Sequence, residues 1–255
     1  MAMEGNSHTL HKGKSLFGLT YFYSLTRQNG KQLLPFSLGP QAHWSTTLWQ
    51  VLAISIGISA YLFIVNTYTT SSIKKEGDFY LWVLFLIFAM MLFLHIFVMM
   101  SAIYQTRIEQ GLVSLAPGIP SHVLQTRTML VYLLRQFFLL WCVTLVVGIL
   151  CGSLLASNST VHNSIYLACF SSLHLSVCIL KNHAKTKAQQ DNMVIHMLMR
   201  CVAIFAVSLI AIIQLTVVSA WMLCMAIALM TIFTLVWRWN KLLAMVAVFP
   251  PGRGV

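Results

Sequence analysis

Polar and apolar residues in this chain fall into blocks. Six apolar runs stand out: Leu48–Thr67, Phe79–Tyr104, Leu130–Leu150, Ile165–Leu180, Met193–Gln214 and Thr216–Trp237. A helix that crosses a bilayer needs roughly 20 apolar residues at about 1.5 Å each, and these runs meet or approach that length. The pattern predicts an all-α membrane protein with six transmembrane helices. The fourth run is the shortest and would place His162 and Asn163 among the headgroups. The fifth and sixth nearly touch, so Gln214, Thr216 and Ser219 must form a very tight turn or a re-entrant dip. Ahead of the first run lies Ser15–Arg27, SLFGLTYFYSLTR, too short to span, rich in aromatics and bracketed by Lys12, Lys14 and Arg27. That composition suits a helix lying in the membrane interface. The expected organisation is a cytoplasmic segment with this interfacial helix over 1–47, a six-helix domain over 48–237 and a cytoplasmic tail over 238–255.

Composition agrees with lipid as the main solvent. Apolar residues make up 58% of the chain and charged residues 8%, against roughly a quarter charged in soluble domains. The formal charge of +11 does not indicate nucleic acid, because the 16 lysines and arginines are spread along the chain. Most fall just outside apolar runs. With six spans, one side of the membrane collects Lys12, Lys14, Arg27, Lys31, Arg107, Arg127, Lys181, Lys185, Lys187, Arg238, Lys241 and Arg253. The other holds Lys74 and Lys75, offset by Glu76 and Asp78. This bias places both termini in the cytoplasm and Asn158 outside. The six cysteines lie within apolar runs without a CxxC, and read as packing residues with no disulfide framework or metal site.

The chemistry of the spans is sparse. None of the five acidic residues, Glu4, Glu76, Asp78, Glu109 and Asp191, falls deep in a run. Ion-coupled carriers usually keep a buried carboxylate for their cation. HExxH, GxSxG and GxxxxGK[ST] are absent, so no catalytic residue is assigned and any nucleotide chemistry must sit on another subunit. Arg135 and Arg200 interrupt apolar runs within about two turns of the cytoplasmic face, near enough to snorkel to headgroups. Their functional reading is a cationic vestibule for an anionic or amphiphilic substrate. His95 and His174 lie deep and read as helix-packing histidines bonded to a neighbouring serine or carbonyl. The alternative is a haem-handling or electron-transfer protein that uses both as axial ligands.

Some faces suit close helix contact. Gly148 and Gly152 form a GxxxG, and Ala168, Ser172 and Ser176 a small-xxx-small ladder. Ser55 and Ser59 flank Gly57 in the first run. Small residues let backbones approach where the hydrophobic drive is missing. Between the second and third runs lies Gln105–Met129, QTRIEQGLVSLAPGIPSHVLQTRTM. Helix 2 should leave the bilayer through Arg107 and Glu109 and break at Gly111, Pro117, Gly118 and Pro120. Ser121 can cap the next helix. The result is a short helical knee presenting Leu112, Val113 and Leu115 outside the membrane.

The knee sequence Arg107-Ile-Glu109-Gln-Gly111-Leu-Val-Ser-Leu115-Ala-Pro117 resembles the segment after the second helix of ABC-2 type permeases. Those run basic, acidic, glycine, a leucine pair, then a proline-containing break. The resemblance implies the membrane subunit of an ABC exporter in a bacterial inner membrane, without cofactor and without catalysis of its own. It implies a homodimer or a heterodimer with a second permease, and a separate ATPase subunit. Arg107, Glu109, Gly111, Leu112, Leu115 and Pro117 would then form the coupling helix. A membrane assembly factor without transport activity is the remaining reading.

Overall fold

The computed structural model describes residues 37–38, 43–68, 90–106, 110, 121–155, 159–184, 199–200, 202–203, 206, 217–245 and 248–249. Among them the chain is all-helical, with no strand. In chain order the helices are α1 (Trp44–Tyr68), α2 (Met90–Gln105), α3 (His122–Leu155), α4 (Ser159–Leu173) and α5 (Val217–Leu243). A 3₁₀ turn, His174–Cys178, extends α4. Residues 199–200, 202–203 and 206 are also helical. Two stretches, Val123–Leu150 and Ser219–Leu243, are long and apolar enough to cross a membrane, and α2 is a shorter apolar helix. The predicted interfacial helix over 15–27 lies outside the described residues, as does most of the 193–214 run.

Each long helix buries one stripe and exposes an equally apolar opposite face. On α3 the buried stripe runs Leu130, Leu133, Phe137, Leu140, Thr144 and Gly148, at spacings of three and four. That is the 3.6-residue period of one helix face. The outer side carries Val146 and Leu150, more than half exposed. On α5 the stripe is Ala220, Cys224, Thr231 and Leu242, while Met222, Met230 and Phe233 face outward. In water such outward faces would be polar. Here the sequence is apolar all round while burial is one-sided, so hydropathy alone does not locate the contact face.

α3 starts directly after Ser121, where the sequence places a cap. The described bond there is from the Gln125 N–H to the Ser121 carbonyl at 2.9 Å, the first turn of the helix itself. The helix therefore begins eight residues before the apolar run at Leu130. α5 likewise continues past Trp237 to Leu243, into the stretch expected as tail. In α1, Ile54 and Ile58 face the core, one turn apart, while Ser55, Gly57 and Ser59 are exposed. The two serine hydroxyls donate back to the Val51 and Ser55 carbonyls at 2.9 Å, so they need no partner outside the helix. A Cβ on Gly57 would meet nothing within 4 Å.

α4 is the centre of the bundle. Its residues Asn163, Ser164, Ile165, Leu167, Cys169, Ser171, Ser172 and Leu173 are buried, and it packs against both α3 and α5. Against α3, the Trp141 indole donates to the Cys169 carbonyl at 3.0 Å and its ring meets Phe170 edge-on. Leu130 clusters with Leu180. These pairings run in opposite directions along the two chains, so α3 and α4 are antiparallel. Against α5, Tyr166 meets Trp221, Leu167 meets Cys224, and His174 meets Thr231. Arg238 meets Val177, and Leu180 clusters with Leu242. Both numbers rise together, so α4 and α5 are parallel. Leu130, Leu180 and Leu242 mark one end of the bundle, and Arg127, Lys181 and Lys241 are close to them in sequence.

Of the expected packing faces, Ser172 and Ser176 are buried and Ala168 is half-buried. Gly148 is buried on the stripe of α3, and Gly152 lies further along that helix. The Ser172 and Ser176 hydroxyls donate three residues back, to the Cys169 and Leu173 carbonyls, both at 2.7 Å. Such back-bonding competes with the regular ladder, and here the α-helix tightens to 3₁₀ at His174.

Phe137 is fully buried, with its ring edge-on to Phe138, whereas Phe233 is 71% exposed. Truncating a buried phenylalanine costs about 3–5 kcal/mol through lost contacts and a residual cavity. Phe137→Ala should therefore lower the thermal midpoint of the purified chain sharply, while Phe233→Ala leaves it nearly unchanged. Equal shifts would contradict the described burial.

Candidate functional site

The sequence points to three places: the knee, the two span arginines and the two deep histidines. Arg107, Glu109, Gly111, Leu112, Leu115 and Pro117 all lie outside the described residues. What is described is the root of the knee. At the end of α2, the Thr106 N–H and hydroxyl both bond the Ala102 carbonyl, at 3.0 and 2.8 Å. The Gln110 N–H bonds the Thr106 carbonyl at 3.0 Å, one turn further on. Its side-chain amide donates to the Ile103 carbonyl at 2.8 Å and to the Thr106 hydroxyl at 3.0 Å. Gln110 is buried. A helix end leaves carbonyls without partners, and this amide reaches back seven residues to satisfy one. Gln110 is thereby tied to the last turn of α2.

Arg135 and Arg200 have different neighbours among the described residues. Arg135 is exposed on α3, beside a cavity of about 270 Å³ between α1 and α3. Trp44, Leu48, Tyr132, Gln136 and Leu139 line the same cavity. A 3.4 Å hydrogen bond from the Thr47 hydroxyl to the Gln136 side-chain oxygen ties the two helices beside it. Arg200 lies near Cys178 at the end of α4. One of its terminal nitrogens, Nη1, is buried with no hydrogen-bond partner.

The end of α4 is the most structured polar constellation among the described residues. Arg238, from the last turns of α5, donates through Nη1 to the Val177 carbonyl at 3.1 Å and reaches the Leu180 carbonyl at 3.5 Å. It caps the negative end of a helix with a cation from its parallel neighbour, the charge arrangement a helix C-terminus favours. One turn earlier, His174 Nδ1 meets the Thr231 hydroxyl at 3.2 Å, and that hydroxyl donates onward to the Ile227 carbonyl at 2.8 Å. The second hydroxyl hydrogen does not exist, so the ring nitrogen is the donor to Thr231. This is the helix-packing role expected for His174. His95 is buried on α2 with Nε2 unpartnered. No group of three or more metal-ligating side chains occurs among the described residues.

Two features of this end have no sequence motif. His183 is fully buried beyond the 3₁₀ turn, with its Nε2 bonded to the Ile179 carbonyl at 3.1 Å. Its own N–H donates to the Val248 carbonyl at 2.7 Å, and its ring stacks on Phe249 at 5.3 Å. The segment after α5 thus folds back on the bundle. The second feature is His43, before α1, buried with Nδ1 at 2.9 Å from the Ser45 hydroxyl. Spacing arguments find neither, because each ring is held by backbone and by a partner remote in sequence or too close to form a pattern.

Among the described residues the chain is an all-helical bundle, and two of its helices are long and apolar enough to cross a membrane. No family model matches it, and comparison with curated proteins and with solved structures finds no match.

Burial pushes the His183 imidazole down from its ordinary 6.5 to about 4. With Nε2 donating to Ile179, Nδ1 is the bare nitrogen, and it is buried without a donor to meet it. The folded value lies below the unfolded one, so the unfolded chain takes up the proton first. Stability from this site is complete above about pH 6.5, falls at about 1.4 kcal/mol per pH unit toward pH 4, and levels off below. His183→Gln keeps a donor for Ile179 and removes the titration. Burial also lowers His43 to about 4, so the informative quantity is the difference between the two proteins. The thermal midpoint of wild type should fall more than that of His183→Gln between pH 7.5 and pH 5. Parallel pH profiles would show that His183 is not buried neutral.

Proposed function

We propose that this chain is a membrane-embedded permease subunit of an ATP-driven exporter of the ABC-2 type. It crosses the bilayer six times with both termini in the cytoplasm, and separate ATPase subunits drive it. The observation that carries the proposal is the knee sequence 107–117, set between the end of α2 and the start of α3. Two aspects of the described fold support it. α4 and α5 are parallel, so the chain between Ala184 and Val217 has to return along the bundle, and the apolar run 193–214 is long enough to do so. At about 1.5 Å per residue that run spans on the order of 30 Å, the thickness of a bilayer core. Arg127, Lys181 and Lys241 flank the end marked by Leu130, Leu180 and Leu242, as cytoplasmic ends require.

In this reading the protein performs no covalent chemistry. ATP brings the motor subunits together, and the motors displace the knees. Gln110 fixes the root of the knee to the last turn of α2, so a displacement of the knee tilts the helix instead of dissipating in a loop. The motor shifts the equilibrium between access states only through contacts that differ between them. Leu112 and Leu115 are spaced to share one helix face and would enter a groove on the motor. Glu109 would make a water-accessible contact of smaller weight.

Leu112→Ala combined with Leu115→Ala should release the ATPase subunit more than Glu109→Gln does. Truncating an apolar anchor in a groove commonly costs about 1–3 kcal/mol, against roughly 0–1 for an exposed ion pair. Pull-down of the tagged chain from membranes, with the nucleotide-hydrolysing subunit quantified beside transport-dependent ATP hydrolysis, measures both. A double leucine variant that retains and stimulates its motor fully would remove the coupling role from this stretch.

A further inference from the structure

The end of α4 carries more positive charge than its own hydrogen bonds use. Arg238 is committed to the Val177 and Leu180 carbonyls through Nη1. Arg200 lies near Cys178, which falls between those two carbonyls in sequence, so both arginines approach the same turn. They are close enough to repel each other. Arg200 Nη1 is buried with no hydrogen-bond partner. A buried charged donor without an acceptor is costly, and an anion is what would satisfy it. Two guanidinium forks near one turn match the spread oxygens of a phosphate better than a single carboxylate.

The surroundings indicate how the phosphate arrives. Met199 and Val202, next to Arg200 in sequence, are exposed, and so are Val236 and Trp237 next to Arg238. Lys241 lies over the Trp237 ring at 5.5 Å. An aromatic and a cation beside an outward apolar face are the marks of a headgroup level. We propose that Arg200 and Arg238 bind a phosphate group at the cytoplasmic headgroup level, and that an anionic lipid is the carrier that also covers the neighbouring apolar surface. The site does not depend on the exporter reading. It depends on the membrane reading only for the lipid, since a free phosphate would satisfy the same donors.

The test uses the full chain, recovered from carbonate-washed membranes, stripped of lipid in detergent and followed by its thermal midpoint. Phosphatidylglycerol, phosphatidylcholine with the same acyl chains, and inorganic phosphate are added separately. At about 100 times the dissociation constant, phosphatidylglycerol should raise the midpoint by roughly 5–10 °C, and phosphatidylcholine, whose phosphate is screened by choline, by much less. Arg200→Gln should lose most of the rise, Arg200→Lys part of it, and Arg135→Gln none. A rise with inorganic phosphate equal to that with phosphatidylglycerol supports the site and assigns it to a soluble phosphate. No selective rise with either phosphate source in wild type, or a full rise in Arg200→Gln, overturns the proposal. Should Arg200→Gln fail to fold, retention of phosphatidylglycerol by wild type and Arg200→Lys in native mass spectrometry gives the same decision, equal retention counting against the site. Recovery of the chain in the soluble fraction would sink the membrane reading separately, and the inorganic phosphate arm would still decide the guanidinium site.

Discussion

The parallel seating of α4 on α5 constrains everything else in this fold. Tyr166 with Trp221, His174 with Thr231, and Arg238 with Val177 climb both helices together. Parallel neighbours cannot be joined by a short turn, because the chain leaves α4 at one end of the bundle and must enter α5 at the other. The stretch between Ala184 and Val217 therefore has a full return to make. α3 packs antiparallel on the other side of α4 through Trp141 and Cys169, so α4 has a neighbour on each side and is buried on both.

This placement explains the composition of α4. On a helix covered on both sides most polar groups find partners inside the bundle, the buried Ser171 hydroxyl being an exception. Ser172 and Ser176 donate to their own helix, and Arg238 takes the carbonyls at its end. The outer helices face the opposite problem. Their exposed sides are as apolar as their buried stripes, which is stable only where the surroundings are themselves apolar. Polar contacts then decide which side faces in. Thr47 meets Gln136 between α1 and α3, and Thr231 meets His174 between α5 and α4.

The positions of α1, α2, α3 and α5 were legible in the run lengths, because a block of twenty apolar residues has few alternatives to a helix. The ends were less so. α3 extends back to His122 and α5 forward to Leu243, since Arg127, Arg238 and Lys241 have long stems that allow a helix to continue past its apolar part. The fourth run was placed correctly but read as one uniform helix. Its switch to 3₁₀ at His174 depends on serine back-bonding that composition does not reveal. Arg200 was found as an interruption of an apolar run. Its companion Arg238 looked like an ordinary flanking cation, because the property that matters is the helix it reaches across to. Gln110 and His183 were invisible for the same reason, their partners being the backbone at Ile103, Ile179 and Val248.

The account stands most directly on the proposed crossing between Ala184 and Val217. Single cysteines placed at Lys185 and at Ser219, in a chain whose native cysteines are replaced, report the side of the membrane reached by an impermeant thiol reagent. The proposed six crossings predict labelling of position 185 from the cytoplasmic side only and of position 219 from the opposite side only. Labelling of both positions from the same side would mean that the chain does not return between α4 and α5, and would contradict the arrangement from which the rest is built.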